Sequence, residues 1–211
     1  MPIQKIVTLY QYDELPTEKA KEKARDWFRE VDTFGDFLDY EDFLSVCERL
    51  GIEVDSNHDG KGHKIYWSGF WSQGDGASFA GTLRAKPDAG EAIREYAPLD
   101  EKLHRIGDAI AALSIRFPDL YAKAEQGRYG SHYVHSNTMS VDVEVGENED
   151  GEPLDAGAPI DDEVTRLMRD LADWLYRQLK TDYEYRNSDE EVADSIRCNE
   201  YTFTETGKRE D

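Results

Sequence analysis

The chain has 211 residues, and 46 acidic against 25 basic side chains give it a formal net charge of -21. This charge disfavours direct binding to nucleic acid or to an anionic membrane, because phosphate groups would be repelled. No apolar run reaches the roughly 20 residues that a membrane-spanning helix needs, and the first ten residues lack the apolar core of a secretory signal. We therefore expect a cytoplasmic protein.

The acidic residues are concentrated toward the carboxyl end. Residues 142–211 carry 22 acidic and 8 basic side chains, whereas residues 61–141 carry 9 and 10. No Pro-rich or Ser/Gly-rich linker divides the chain. The sequence therefore predicts a single domain over 1–211, with an exposed acidic loop near 146–159 and a polar tail after 205.

The first quarter of the chain alternates between strand and helix patterns. Thr17 follows Leu15 and Pro16 and is a typical N-cap, and the apolar residues after it recur at helical spacing as far as Val31. The predicted elements are, in order, a strand at 3–10, a helix at 17–31, a helix at 40–50 that ends at Gly51, and a strand at 52–54.

The middle of the chain carries the clearest strand signals. Residues 64–71 and 78–83 flank Ser72–Ala77, whose Asp75-Gly76 pair favours a tight hairpin turn. Two helices are expected to follow, one begun by an Asp88 and Glu91 capping box and one capped by Asp100. A second antiparallel pair is predicted at 128–135 and 138–145, the latter with Met139, Val141, Val143 and Val145 on one face.

The last third of the chain is helical in pattern. Apolar residues from Val164 to Leu179 trace one stripe and predict a helix over 161–182. Ser188 and Glu191 predict the start of another helix, and 201–204 is a final strand candidate. Alternating strands combined with amphipathic helices indicate an α+β fold, with a largely antiparallel sheet and helices packed on one face.

The aromatic, Gly-rich hairpin is the first candidate site. Two interpretations stay open, a structural turn and a surface for a ligand or partner. On an unbroken strand Trp67 and Trp71 would share a face. The candidate binding residues are Trp67, Trp71, Gln73 and Asp75, with Arg128 and Tyr129 as possible anion-binding and stacking groups.

No pattern in the sequence indicates catalysis, a metal site or a cofactor. His58 and His63 flank a Gly/Lys turn, and His132 and His135 are three residues apart in a strand context, where they would point to opposite sides. Neither Cys47 nor Cys198 has an adjacent histidine that would lower the pKa of its thiol. We expect no catalytic residues, no metal and no cofactor.

Acidic residues on the predicted carboxyl-terminal helices form the second candidate site. They are Asp161, Asp162, Glu163, Asp170, Asp173, Asp189, Glu190, Glu191 and Asp194. Displayed together, such carboxylates can imitate the phosphate spacing of nucleic acid and steer encounter with a basic cleft. This predicts a noncatalytic protein that binds and inhibits a protein with a basic surface. A protein that binds or sequesters a nucleotide signal through the hairpin is the alternative hypothesis.

Three stretches of the chain resemble a family of small bacteriophage and prophage proteins that is occasionally described as antitoxin-like. They are Tyr10–Arg29, Ile65–Phe79 with its SGFWSQGDGASF core, and Trp174–Gly207. The resemblance implies a mobile-element setting, in which small acidic proteins often act on host factors, including antiviral defence proteins. It implies that the partner with a basic surface is a host protein and that the protein works in the cytoplasm of the host cell. A toxin partner is the antitoxin-like variant of this hypothesis. The resemblance implies no catalytic residue.

Overall fold

The computed structural model describes residues 7–31, 40–127, 133–147 and 153–210. The chain divides into two compact units, of which one comprises 1–38 with 180–211 and the other comprises 39–179. We refer to them as the terminal unit and the central unit. The single domain expected from the sequence stays a prediction.

Six α-helices, nine strands and two 3-10 turns, at Tyr12–Glu14 and Ser136–Thr138, make up the regular structure of the described residues. The helices are α1 (Glu18–Val31), α2 (Glu41–Leu50), α3 (Ala89–Tyr96), α4 (Glu101–Arg116), α5 (Ala158–Arg186) and α6 (Asp189–Cys198). The strands are β1 (Tyr10–Gln11), β2 (Ile52–Val54), β3 (Ile65–Trp67), β4 (Ala77–Phe79), β5 (Gly81–Arg84), β6 (Tyr121–Gln126), β7 (Met139–Glu147), β8 (Pro153–Asp155) and β9 (Thr202–Phe203).

A five-stranded antiparallel sheet organises the central unit. Its strand order is β2-β5-β6-β7-β8. The register aligns Glu53, Thr82, Lys123 and Asp142 across four strands. The neighbouring row consists of Ile52, Leu83, Ala122 and Val143, and every member of it is buried. Because side chains alternate between the faces of a strand, one face of the sheet is apolar and the other polar. The α+β class predicted from the sequence is confirmed.

One strand prediction is wrong in its pairing, and another is right in its pairing but wrong in its extent. The partner of β7 is β6 at 121–126, not the segment 128–135. Residues 133–135 are not in a strand, residues 136–138 form a 3-10 turn, and 128–132 lie outside the described residues. The sequence signal of β6 (YAKAEQ) is weak because alanine occupies both buried positions of the strand. The predicted run 78–83 is divided between β4 and β5, which belong to different sheets.

The predicted acidic loop contains regular structure. Within 146–159, β8 pairs with β7, and the first residues of α5 follow it. Residues 148–152 lie outside the described part of the chain. The prediction of a continuous exposed loop at 146–159 is therefore wrong for the described residues of this range.

Helix boundaries in the central unit follow the signals in the sequence. Gly51 ends α2 in the left-handed conformation, with φ of +81°. The carboxylate of Asp100 accepts hydrogen bonds from the Lys102 and Leu103 amides and caps α4. Asp88 precedes α3, but its side chain makes no capping hydrogen bond, so the predicted capping box there is wrong. The apolar stripe of α5 from Val164 to Leu179 is buried as predicted.

The terminal unit packs α1 against α6 around a small core. The buried members are Tyr12, Leu15, Ala20, Ala24, Val192, Ala193, Ile196 and Phe203. Thr17 caps α1 by accepting from the Ala20 amide at 3.1 Å, and Ser188 caps α6 by accepting from the Glu191 amide at 3.3 Å. Both predicted caps are confirmed.

The predicted polar tail folds back onto the terminal unit. Arg209 forms a β-bridge with Phe203, and its guanidinium lies 5.2 Å from the ring of Tyr201. Gly207 is buried, and an added Cβ there would lie 2.0 Å from the Ala20 carbonyl oxygen. This close approach is why glycine is required at the turn.

Ion pairs join α1 to α6. Asp189 at the start of α6 bonds Arg29 at 2.5 Å and lies 3.4 Å from Arg25. The Arg25 side chain is only 10% exposed, and it also donates to the Tyr12 hydroxyl at 2.6 Å. Arg197 near the end of α6 bonds Asp13 at 2.9 Å. Charged groups of α6 thus help to hold the terminal unit together.

Acid is expected to loosen the terminal unit. The hydrogen bond from Arg29 lowers the pKa of Asp189, and the hydrogen bond from Arg197 lowers the pKa of Asp13. Because both folded pKa values lie below the unfolded value of about 3.9, the stabilisation is present above about pH 4 and is lost as pH falls through the folded values. Trp27 fluorescence measured against pH reports this transition, since Trp27 packs on the core of the terminal unit.

A single substitution separates this effect from general acid unfolding. Asp189→Asn is expected to flatten part of the acid-induced loss of stability, because the amide does not titrate. An unchanged acid slope in that variant contradicts the assignment to Asp189.

Candidate aromatic-loop site

The loop between β3 and β4 reverses at a position different from the one predicted. β3 and β4 pair with Trp67 opposite Ala77, which leaves residues 68–76 in the loop. The Asp75 amide donates to the Ser72 carbonyl at 3.1 Å, and Gly74 has φ of +100°. These are the marks of a type II turn at Ser72–Asp75. The tight turn expected at Asp75-Gly76 is therefore wrong, although glycine is required in this loop.

Asp75 holds the loop from within. Its carboxylate accepts from the Trp71 amide at 2.8 Å and from the Ser72 amide at 2.6 Å. A phosphate-binding loop needs such amides for its own anion. Because an internal carboxylate already occupies these two donors, the loop is not built as a phosphate cradle.

A stack of aromatic rings anchors the loop to α5. Phe70 is 8% exposed and stacks on Trp67 at 5.4 Å and on Tyr176 at 5.6 Å. The Tyr176 hydroxyl donates to the Gly69 carbonyl at 3.1 Å. Burial, and next the charge of Asp75, raise the pKa of Tyr176, so this hydroxyl keeps its proton for the hydrogen bond.

Trp67 and Trp71 do not share a face, contrary to the prediction. β3 ends at Trp67, and the ring of Trp67 is half-buried in the stack. Trp71 lies beyond the strand and is 76% exposed. The even spacing of the two residues is uninformative because the strand does not continue between them.

The segment 133–135 lies directly on the loop, and two glycines make room for it. An added Cβ on Gly74 would lie 2.3 Å from Cδ1 of Tyr133, and one on Gly76 would lie 2.4 Å from Cβ of His135. The Ser68 hydroxyl donates to the Val134 carbonyl at 3.2 Å. Gly74 and Gly76 of the SGFWSQGDGASF motif thus allow the segment 133–135 to pack closely on the loop.

A polar network fixes the far end of the same segment. The Gln126 side-chain amide donates to the Thr138 hydroxyl at 2.9 Å, and the Gln126 side-chain oxygen accepts from the buried Ser78 hydroxyl. Thr138 also bonds the carbonyl of His135 at 2.6 Å. β4, β6 and the 3-10 turn are therefore joined beneath the loop.

Together these contacts give an ordered loop with two exposed aromatic rings, those of Trp71 and Tyr133. We call residues 68–76 together with 133–137 the aromatic loop. Trp71 is 76% exposed and Tyr133 is 55% exposed. The backbone that carries them is fixed by the Asp75 carboxylate, by close packing on Gly74 and Gly76, and by the hydrogen bonds of Thr138. Large aromatic residues that stay exposed on ordered backbone are characteristic of interaction sites.

Gly76→Ala is expected to release the segment 133–135 from the hairpin. The new methyl group would overlap His135, including its Cα at 2.6 Å, so the segment must move. We expect faster amide hydrogen exchange at 133–138 while the exchange of α4 stays unchanged. Gly69→Ala is the control in the same loop, because its Cβ would lie 3.2 Å from the Asp75 carboxylate and needs only a small adjustment. Equal exchange in the two variants contradicts the packing role.

Some of the candidate binding residues predicted around the hairpin lie together on the aromatic loop. Trp71 and Gln73 are exposed on the aromatic loop, Asp75 is its internal anchor, and Trp67 belongs to the stack beneath it. Arg128 and Tyr129 lie outside the described residues. Sequence reasoning missed Phe70 within the loop and the residues that only tertiary contacts bring to it, namely Tyr133, His135 and Tyr176. A weak signal existed in Tyr133, a large aromatic outside any apolar stripe.

The predicted acidic residues are divided between the two units, and several of them are paired. Asp161 to Asp173 belong to the central unit and Asp189 to Asp194 to the terminal unit. Four of the nine pair with bases of their own unit, Glu163 with Arg116, Asp170 with Lys102, Asp189 with Arg29 and Asp194 with Arg197. Asp161 and Glu191 are half-buried, and Asp162, Asp173 and Glu190 are exposed. An array in which all nine carboxylates face solvent unpaired is therefore wrong.

Outside the aromatic loop, the described residues include a buried cysteine and a cavity. No group of three or more His, Cys, Asp or Glu side chains there has the arrangement to hold a metal ion. Burial raises the pKa of Cys47 well above its usual range, which keeps the thiol protonated and unreactive. A cavity of about 850 Å³ is lined by Arg84, Tyr121 and Glu144 among others.

None of the helices in the described part of the chain combines the length and apolar character that a bilayer-spanning segment requires.

Comparison with known proteins identifies the family. No curated protein and no solved structure shows a significant match to the chain. One family model matches residues 37–189, which include the whole aromatic loop. Because this match covers more than half of the sequence, the chain belongs to the family described as Domain of unknown function (DUF8835).

Proposed function

We propose that this protein is a noncatalytic binding protein whose aromatic loop engages a basic surface on a protein partner. The observation that carries the proposal is the exposure of Trp71, 76%, and Tyr133, 55%, on backbone fixed by Asp75, Gly74 and Gly76. Binding energy at protein interfaces concentrates in a few such aromatic residues. Because the loop is ordered without a partner, little conformational entropy is lost on binding.

The net charge supports a basic partner. A chain with a formal charge of -21 attracts a positively charged surface at long range and repels a second copy of itself. This role of charge does not require the continuous acidic array predicted from the sequence. Charge steers the encounter, and the aromatic rings supply the contact. The host origin of the partner, its inhibition and the mobile-element setting stay predictions of the sequence.

Binding of a nucleotide signal to the loop is less well supported. The loop amides of Trp71 and Ser72 are occupied by Asp75, and residues 68–76 contain no basic side chain. A nucleotide would place its phosphates beside a carboxylate. We therefore favour the protein-binding function.

Site-specific photo-cross-linking tests the proposal. A photoreactive phenylalanine analogue at position 71 is expected to capture a partner protein from a bacterial extract. The matched control carries the same analogue at position 99, since Leu99 is 93% exposed and lies far along the chain. Capture at both positions, or at neither, contradicts a specific role of the aromatic loop.

Affinity for the captured partner provides the quantitative test. Trp71→Ala is expected to weaken binding about 30-fold or more, as loss of an interface hot spot does. The free energy of unfolding is expected to change by less than about 0.5 kcal/mol, because the side chain is mostly in solvent. Leu99→Ala is expected to leave both quantities unchanged. Wild-type affinity in Trp71→Ala rejects the proposed contact.

A further inference from the structure

The cavity of about 850 Å³ in the central unit is lined by groups of opposite charge from neighbouring strands. Arg84 of β5, Tyr121 of β6 and Glu144 of β7 are partners in register, so they form one row on the polar face of the sheet. The Arg84 guanidinium lies 5.1 Å from the centre of the Tyr121 ring. Because strands lie about 4.8 Å apart and side chains stand upright on a sheet, the ring separates the guanidinium from the Glu144 carboxylate.

The charged groups at the two ends of this row are open. Within the described part of the chain the Arg84 guanidinium makes no ion pair or hydrogen bond, and neither does the carboxylate of Glu144, although Glu144 is half-buried. Asp119 is the one further charged group among the described residues that line the cavity, and it is exposed. A few convergent polar groups in a cavity of this size are what orients a ligand in a binding site.

Other bases close to the row in sequence or register are already bonded. Lys86, two residues beyond Arg84, donates to the Glu48 carbonyl at 2.7 Å. Lys123, two residues beyond Tyr121, bonds Asp55 at 2.7 Å. The Arg84 guanidinium is therefore the cation that the cavity offers to a ligand.

The charges of the cavity select the kind of ligand. Phosphate would meet Arg84 but also the carboxylates of Glu144 and Asp119, and a simple cation would meet the guanidinium. A zwitterion satisfies both ends, because its carboxylate accepts parallel hydrogen bonds from the guanidinium and its ammonium group donates to Glu144.

The length of the row sets the size of such a ligand. Arg84 and Glu144 stand two strands apart, which is about 10 Å. A hydrogen bond of about 2.8 Å at each end leaves about 4 Å between the charged groups of the ligand. An amino acid has nearly this separation, and an extended dipeptide exceeds it.

We propose that this cavity is a binding site for a free amino acid, with the carboxylate on Arg84 and the ammonium group on Glu144. Tyr121 is a positioning residue, since its ring holds the guanidinium plane by stacking. β7 bulges between Glu144 and Glu147, as strands often do where a side chain is aimed into a site. The proposal goes beyond the binding function of the aromatic loop, because no residue of that loop is among the described residues that line the cavity.

Titration with free and modified amino acids tests the proposal. Protein labelled with ¹³C at tyrosine is titrated with each of the common amino acids, and Tyr121→Phe assigns the resonance of Tyr121 among the 12 tyrosines. At least one amino acid is expected to shift that resonance at millimolar concentration. Its N-acetyl form and its amide are each expected to bind about tenfold more weakly, because each lacks one charge-assisted hydrogen bond.

Variants that remove one charge assign the two ends of the ligand. Arg84→Gln is expected to lose the preference for the free amino acid over its amide and to keep the preference over the N-acetyl form. Glu144→Gln is expected to do the reverse. Glu125→Gln is the matched control and is expected to keep both preferences, since Glu125 is exposed on the same face of β6 and does not line the cavity.

Several results overturn the proposal. They are no shift of Tyr121 with any amino acid, equal binding of the free, N-acetyl and amide forms, and loss of both preferences in Glu125→Gln. A larger response to inorganic phosphate overturns it in favour of an anion site, and tighter binding of diglycine than of every amino acid contradicts the assigned spacing. Each of these results leaves the cross-linking experiment at position 71 unaffected, so the proposed function of the aromatic loop is tested separately.

Discussion

Gly51→Ala is expected to lower the free energy of unfolding of the central unit by about 3 kcal/mol or more. Two effects add. Gly51 has φ of +81°, a conformation that side chains with a Cβ rarely adopt. An added Cβ would also lie 2.2 Å from the carbonyl oxygen of Arg84, which is backbone and cannot turn aside. The Arg84 amide donates to the Gly51 carbonyl at 2.8 Å, so the paired strands would have to shift.

Gly157→Ala is the matched control for that experiment. Gly157 has φ of +80° in the same unit, but no atom of the described residues lies within 4 Å of the position that an added Cβ would take. We expect a loss of only about 1 kcal/mol, the cost of the left-handed backbone alone. Chemical denaturation of both variants measures the difference. If the two variants lose the same free energy of unfolding, the close approach of the Arg84 carbonyl is not what makes a side chain unfavourable at position 51.

Asp100→Ala is expected to destabilise the central unit by about 2 to 4 kcal/mol. The carboxylate caps α4 and also accepts from the Trp174 indole N–H at 2.7 Å. Trp174 is only 4% exposed, so alanine at position 100 leaves a buried donor without its acceptor in addition to removing the cap. Calorimetric unfolding measures the loss.

Asp88→Ala provides the comparison, since Asp88 precedes α3 without a side-chain capping bond. We expect a change of about 0.5 kcal/mol or less at this position. Asp100→Asn is a second variant, in which one amide oxygen retains part of the cap. If Asp88→Ala and Asp100→Ala are equally destabilising, the cap and the indole hydrogen bond do not carry the stability assigned to them.

The same carboxylate makes the stability of α4 dependent on pH. Burial by itself raises the pKa of Asp100, but hydrogen bonds from the Leu103 amide and the Trp174 indole outweigh burial, and the pKa is lowered. Its stabilisation is therefore present above the unfolded pKa of about 3.9 and is lost as pH falls through the folded pKa.

The acidic helices show why composition does not predict which carboxylates are exposed and unpaired on the surface. The count of carboxylates in residues 142–211 is a property of the sequence, but their exposure depends on which bases lie opposite them. Arg29 lies 160 residues before Asp189 in the chain, and Arg116 lies 47 before Glu163. Such pairs are invisible in the pattern of neighbouring residues, and they convert part of a predicted recognition surface into internal ion pairs.

Local chemistry explains why much of the secondary structure was predictable. Thr17, Asp100 and Ser188 act as helix caps and Gly51 as a helix end, because a cap needs only a side chain and the amides within three residues of it. The alternating side chains of β7 and the apolar stripe of α5 were equally predictable. Each follows from the repeat of a single strand or helix that packs one of its faces on the core. The α+β class followed from these patterns.

Most of the elements, the class of fold and the importance of the Gly-rich motif could thus be predicted from the order of residues. Only the folded chain reveals that β6 pairs with β7, that Gly74 and Gly76 receive Tyr133 and His135, and that Trp71 is exposed while Trp67 is half-buried. The physical reason is the range of the interactions. Caps and periodicities act over a few residues, whereas close backbone approach and ring stacking at the aromatic loop join segments more than 50 residues apart, and the local pattern of residues does not specify which segments meet.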